Sequence, residues 1–278
     1  MAQEFFKNII KQDYAKLIIL SLLTVAAYIQ TFIWMIDRWT IADTYYSHGL
    51  LIPMISVFIV WQKREKLSKI KIKPANSGWI LFISGISVHI VSALWRVYFT
   101  SGFSILLTLA GLILLFLGKD FLKQLWFAVL FLAFMIPLPL VSISHISFKL
   151  KVLASQLAVA IVTALGIGAS RAGSIIKTRH SYLIVEDPCS GIQSLIALIA
   201  LGALLAYLSR LSAARKIILF LSSIPVAIFS NAIRITTLTI ANEIYGAQQI
   251  SRAVHDIMGI AVFACAFFVL QILNKTLE

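Results

Sequence analysis

Asp187-Pro188-Cys189-Ser190-Gly191-Ile192-Gln193-Ser194-Leu195 places a cysteine between a short extended run and a long apolar helix. Pro188 stops a helix from continuing upstream, because its ring removes a donor and holds Asp187 in extended geometry. The cysteine therefore falls at or just before the first turn of the next helix, where unpaired backbone N–H groups and the positive end of the dipole collect. That setting favours thiolate, the nucleophilic form. Taken alone, a cysteine in an apolar chain is a small buried hydrophobe, so its surroundings must decide.

The surroundings are those of a membrane protein. Of 278 residues, 60% are hydrophobic and only 13% charged, outside the range of soluble globular chains. The apolar residues fall in blocks long enough to cross a bilayer. The expected fold is an all-α polytopic membrane protein of about eight transmembrane helices, at about 17–36, 47–62, 78–95, 102–118, 124–141, 190–208, 215–241 and 254–273. Residues 1–16 form a charged cytoplasmic start, and 17–273 a single transmembrane domain with no signal-peptide pattern before it. Cys189 and Cys265 are the only cysteines, which excludes a disulfide framework and metal-ligand spacing. Cys265 in Ala264-Cys265-Ala266 reads as packing.

Charge position sets the orientation. Lys63, Arg64, Lys66, Lys69, Lys71 and Lys73 face Glu65 alone, which puts this loop, and with it the N-terminus, in the cytoplasm. The net charge of +13 thus reflects topology rather than nucleic-acid binding. Residues 144–166 carry Lys149, Lys151, Ser155 and Gln156 on an apolar background, as in an interfacial helix at the outer surface. If this segment spanned instead, every later segment would invert. Residues 168–188 are the only sizeable polar insert. Within it, Ser174–Thr178 and Tyr182–Glu186 suggest a short extracytoplasmic two-stranded β-hairpin before Cys189.

Helical rise then gives a geometric test. From Cys189 to Arg210 is roughly 31 Å, from Arg215 to Arg234 roughly 28 Å, and from His255 to Lys275 roughly 30 Å, each about one hydrocarbon thickness from a basic inner anchor. A thiol, a guanidinium and an imidazole share one outer depth. Arg234 in an otherwise apolar block is expensive and by default functional, and Asn231, one turn earlier, could orient it. Such a set suits acyl transfer. Cysteine attacks a carbonyl, imidazole moves protons, and a fixed cation or the Ser190 and Gly191 N–H groups hold the oxyanion.

At these residues the chain resembles the exosortase/archaeosortase family of membrane transpeptidases. The matching stretches are Cys189-Ser190-Gly191-Ile192-Gln193-Ser194-Leu195, Asn231-Ala232-Ile233-Arg234-Ile235 and His255-Asp256-Ile257-Met258-Gly259. Tyr46-Ser47-His48-Gly49 with Pro53, and Ile136-Pro137-Leu138-Pro139, also match. The resemblance implies a cofactor-free, membrane-embedded cysteine protease/transpeptidase of the cytoplasmic (inner) membrane, with both termini cytoplasmic and its active site outside. It implies cleavage of C-terminal sorting signals of PEP-CTERM type (motif, transmembrane helix, basic tail) on exported proteins, through an acyl-thioester. By the same resemblance Cys189 is nucleophile, Arg234 second and His255 third catalytic residue, with Arg234 a proton donor or an oxyanion partner. His48 serves packing, substrate positioning or catalysis. Partners are the exported proteins and membrane lipid, with no nucleic acid, and the product belongs with an exopolysaccharide matrix. The competing class is a non-catalytic membrane transporter or polysaccharide-export component, in which Cys189 is structural and Arg234 lines a substrate path.

Overall fold

A computed structural model describes residues 14–41, 44–246 and 252–278, without the side chains of 14–17, 188, 252, 253, 255 and 256. The charged start expected at 1–16 and Asp43 therefore lie largely outside the described residues. The chain forms two compact units, Met1–Leu138 and Pro139–Glu278.

The first unit contains α1 (Tyr14–Ala27), α2 (Ile29–Thr40), α3 (Leu51–Gln62, entered through a 3-10 turn at Ser47–Leu50), α4 (Gly78–Leu94), α5 (Tyr98–Phe116) and α6 (Lys119–Phe131). The expected first span is broken: α1 and α2 meet at Tyr28 with a 59° bend. Polar side chains from α4 and α5 satisfy what the break exposes. His89 Nε2 lies 3.0 Å from the Ala27 carbonyl, which requires a proton there and leaves Nδ1 to accept from the Ser101 hydroxyl at 2.8 Å. The fully buried Tyr28 hydroxyl meets Ser104 Oγ at 2.8 Å and Thr108 Oγ1 at 2.9 Å. In lipid, freed backbone groups must find partners inside the protein, and this network supplies them.

Helices α4 and α5 pack closely through small residues. A β-carbon on Gly78 would sit 2.7 Å from the Gly111 carbonyl, and one on Gly111 would sit 2.5 Å from Phe82 N. The expected fifth span stops early, because α6 ends at Phe131 and a 3-10 turn at Leu132–Met135 leads into extended Ile136. Pro137 excludes helical geometry at the residue before it.

The second unit holds α7 (Leu140–Ala164), three short strands, α8 (Ile192–Leu208), α9 (Ala213–Tyr245) and α10 (Arg252–Leu277). The expected two-stranded hairpin is a three-stranded antiparallel sheet, β1 (Ser170–Ala172), β2 (Ile175–Lys177) and β3 (Tyr182–Ile184), in sequential order. Gly173, at φ +63°, makes the β1–β2 turn, and the Arg179-His180 break is the β2–β3 loop. Strand β1 escapes sequence reading because Ser-Arg-Ala carries no β-branched or aromatic signal. The inner face of the sheet (Ile176, Leu183, Val185) packs with Ala154 and Ala158 of α7, Ile235 and Leu238 of α9, and Cys189.

Segment 144–166 is, up to Ala164, part of a longer helix, which with 25 residues is long and apolar enough to cross a membrane. Several of its polar residues face protein rather than water. Ser147 and Ser155 are fully buried, Ser155 donates to Gly173 O at 3.3 Å, and Lys151 is ion-paired. By length and composition, four helices qualify as spans: Tyr98–Phe116, Leu140–Ala164, Ala213–Tyr245 and Ile257–Leu277. The bent α1–α2 pair makes a fifth, and Ser47–Gln62, Gly78–Leu94 and Ile192–Leu208 are shorter apolar helices. The protein is a multi-pass membrane protein, but the described helices do not reproduce the count of about eight spans.

Enlarging Gly111 tests the small-residue contact. Gly111→Leu overpacks the α4–α5 interface and lowers stability by about 1–3 kcal/mol, read as an earlier thermal unfolding midpoint in detergent. An unchanged midpoint refutes the close contact.

Candidate active site

Cys189 ends a single 3-10 turn, Asp187–Cys189, and helix α8 begins at Ile192 after Gly191 in the left-handed region. The thiol thus precedes the helix by three residues, just before its first turn. Every peptide group around it is tied. The Cys189 N–H donates to Glu186 O at 3.0 Å and the Ser190 N–H to Asp187 O at 3.0 Å, while Asn231 Nδ2 donates to the Cys189 carbonyl at 3.2 Å. The Ser190 amide is therefore already spent, and Ser190 Oγ accepts from Ile192 N–H at 3.4 Å. Of the two amides expected as oxyanion donors, this one is committed to holding the turn.

The turn is clamped from two helices. On one side Lys151 of α7 pairs with the Asp187 carboxylate at 2.8 Å, and Ser147 donates to the same oxygen at 3.3 Å. On the other side Asn231 of α9 holds the Cys189 carbonyl. Asn231 thus grips the nucleophile's backbone rather than orienting Arg234. Gly191 makes this possible: at φ +82° a β-carbon would be strained, and it would stand 2.5 Å from Asn231 Cγ. The Lys151 ammonium, which donates a hydrogen bond to it, holds the Asp187 carboxyl below its ordinary value of 3.8.

Three residues after Asn231, Arg234 brings Nη2 to 3.8 Å from Cys189 Sγ. Arg234 Nε and Asn231 Oδ1 are buried without a hydrogen-bond partner among the described residues. Cys189 is 7% exposed. The guanidinium lies against α10 where Gly259 presents no side chain, its carbon 3.6 Å from the position a β-carbon would take. Met258 packs against the cluster that includes Cys189. His255 stands one helical turn before Gly259, and its side chain lies outside the described residues. Helix α10 therefore reaches the Cys189–Arg234 pair with the turn that follows His255. Cys265 is exposed on the same helix rather than packed.

His48 belongs to the first unit, in the 3-10 turn before α3, with its ring stacked on Tyr46 at 5.6 Å. The Tyr46 hydroxyl accepts from Leu138 N–H at 3.1 Å, and Gly49 lies directly under the Trp39 ring. This arrangement joins the Tyr46–Gly49 stretch to the Pro137–Leu138 turn within one unit.

A family model described as transmembrane exosortase matches residues 38–272. The chain belongs to the transmembrane exosortase family. No curated protein and no solved structure matches it. Sequence reading of this exosortase-family chain missed Ser147, Lys151 and Asp187 as a clamp, and Gly259 as the floor beneath Arg234. It also missed a tether beyond the site, where Glu243 near the end of α9 accepts from His180 Nδ1 at 2.8 Å and from His180 N–H at 3.2 Å. Only Asp187 carried a local signal, by lying in the cysteine stretch.

Two outcomes follow from the clamp. An Asp187 carboxyl held low contributes stability above its ordinary pKa, and that contribution disappears as the pH falls through the lowered value. Lys151→Met removes it, so the gap between wild-type and variant melting temperatures narrows from pH 6 to pH 3; a constant gap refutes the coupling. Gly191→Ala forces both strain and the Asn231 clash, and should change the rate at which a maleimide alkylates Cys189 in a Cys265→Ser background. An unaltered rate means that Asn231 does not hold the turn.

Proposed function

We propose that this exosortase-family protein is a membrane-embedded cysteine protease/transpeptidase that cleaves C-terminal sorting signals of exported proteins. The observation that carries this reading is the 3.8 Å approach of Arg234 Nη2 to Cys189 Sγ. A nucleophile beside a fixed cation, in an apolar and largely water-free setting, is what acyl transfer requires.

In this mechanism the Cys189 thiolate attacks the scissile carbonyl carbon. The tetrahedral oxyanion is held by the Arg234 guanidinium, whose donors lie beside the sulfur. Its collapse breaks the C–N bond, and the His255 imidazolium gives the leaving amine its proton, yielding an acyl-thioester on Cys189. Neutral His255 then takes a proton from the acceptor, water or an amine, as that nucleophile displaces the thiolate. Arg234 serves as oxyanion partner because a guanidinium is a permanent donor rather than a proton shuttle. Gly191 and Asn231 hold the nucleophile's turn, and His48 serves positioning in its own unit.

The reading places the protein in the cytoplasmic membrane with both termini inside and the site outside. The basic loop at 63–73 and the group Arg210, Arg215 and Lys216 support that orientation. Substrates are exported proteins ending in a motif, a transmembrane helix and a basic tail, presented in membrane lipid.

Cells carrying Cys189→Ala accumulate the unprocessed substrate while the enzyme remains in the membrane. Arg234→Ala slows processing about 10²–10³-fold, the scale of losing an oxyanion donor. Mass spectrometry of the substrate's new C-terminus reads both, and normal processing in both variants ends the proposal.

A further inference from the structure

Among the described residues β3 is an edge strand, the last in the order β1-β2-β3. Its hydrogen-bonding phase fixes which groups face the open side. Val185 N–H donates to Ser174 O at 3.1 Å and Thr178 N–H to Ser181 O at 2.9 Å. The register pairs Ile176 with Leu183, Ile175 with Ile184 and Lys177 with Tyr182. In an antiparallel pair, hydrogen-bonded and non-hydrogen-bonded positions alternate. Positions 181, 183 and 185 therefore bond to β2, and Tyr182 and Ile184 turn their N–H and C=O groups outward. Among the described residues nothing pairs with those four groups. The same two side chains are exposed on the outer face, 59% for Tyr182 and 50% for Ile184.

This edge runs into the catalytic turn. Ile184 and Cys189 are five residues apart, at most about 18 Å of extended chain. The sheet sits against the part of α9 beyond Arg234, through Leu183 with Ile235 and Leu238 and through His180 with Glu243. The cavity beside the turn, lined by Ser190, Gly191, Leu195, Ala227 and Asn231 among others, is small, with a volume of about 10 Å³.

We propose that the open edge of β3 is the docking strand for the substrate peptide. The segment on the N-terminal side of the scissile bond adds as a fourth strand, bonding to the N–H and C=O groups of Tyr182 and Ile184. Strand addition gives affinity through main-chain bonds and leaves alternate side chains to set specificity. The N-terminal side is the one engaged, because the C-terminal side of a sorting signal continues into the bilayer. The inference rests on the transpeptidase reading.

The probe is the exported protein that accumulates unprocessed in Cys189→Ala cells, purified with its membrane helix and presented to the full-length enzyme. Ile184→Pro deletes one outward N–H and leaves the Leu183 bonds to β2 in place. It should raise KM about five- to tenfold, the scale of one lost backbone hydrogen bond, with kcat retained and Cys189 alkylated at the wild-type rate. A wild-type KM overturns the docking strand. Should the proline disturb the alkylation rate, photo-crosslinking decides instead. Benzoylphenylalanine in place of Tyr182, in the Cys189→Ala background, yields an adduct on the N-terminal side of the cleavage point, and no adduct, or one only on the other side, overturns the proposal. The two failures are separable: accumulation in Cys189→Ala with an unaltered KM in Ile184→Pro removes the docking strand alone, whereas no accumulation removes the reaction itself.

Discussion

The second unit depends on how one short turn is held. Residues 187–189 have no helix or strand to lend them rigidity, so their geometry comes from outside. Lys151 and Ser147 take the Asp187 carboxylate on one flank, and Asn231 takes the Cys189 carbonyl on the other. Both helices that supply these groups also pack on the sheet that leads into the turn. Removing Asn231 would leave the carbonyl of the buried Cys189 without its donor, which is costly, whereas the Asp187 carboxylate is exposed and its tether to Lys151 mainly orients the turn. The turn is thus fixed by the same contacts that assemble the unit, and the close approach of Arg234 follows from helix α9 carrying both Asn231 and Arg234.

Polar side chains inside an apolar protein play two parts here. In the first unit they repair a broken helix: His89, Ser101, Ser104 and Thr108 all find partners around Tyr28. Around Cys189 the repair is incomplete, since Arg234 Nε and Asn231 Oδ1 are left unsatisfied among the described residues. Satisfied networks hold helices together, whereas leftover donors and acceptors are what a reacting group can use.

The membrane character, the depth shared by Cys189 and Arg234, and the β-rich insert were legible in the chain because each rests on local composition or constant helical rise. The three-strand sheet was not, because Ser170–Ala172 becomes a strand only by pairing with β2. Helix α7 shows a related limit of sequence reading. Lys151 and Ser155 look solvent-seeking in sequence, yet their partners Asp187 and Gly173 lie 36 and 18 residues away. The Asn231 amide donates to the Cys189 carbonyl, a contact the sequence could not show, since helical spacing identifies a neighbour on the same face and cannot reveal a carbonyl arriving from another element.

With the amides of Cys189 and Ser190 and the carbonyl of Cys189 each tethered, both peptide planes flanking the sulfur are immobilised. The remaining soft coordinate is rotation about the Cα–Cβ bond. Swinging the sulfur between the guanidinium and an incoming carbonyl is then a one-torsion motion among staggered wells, with no backbone rearrangement to accompany each turnover.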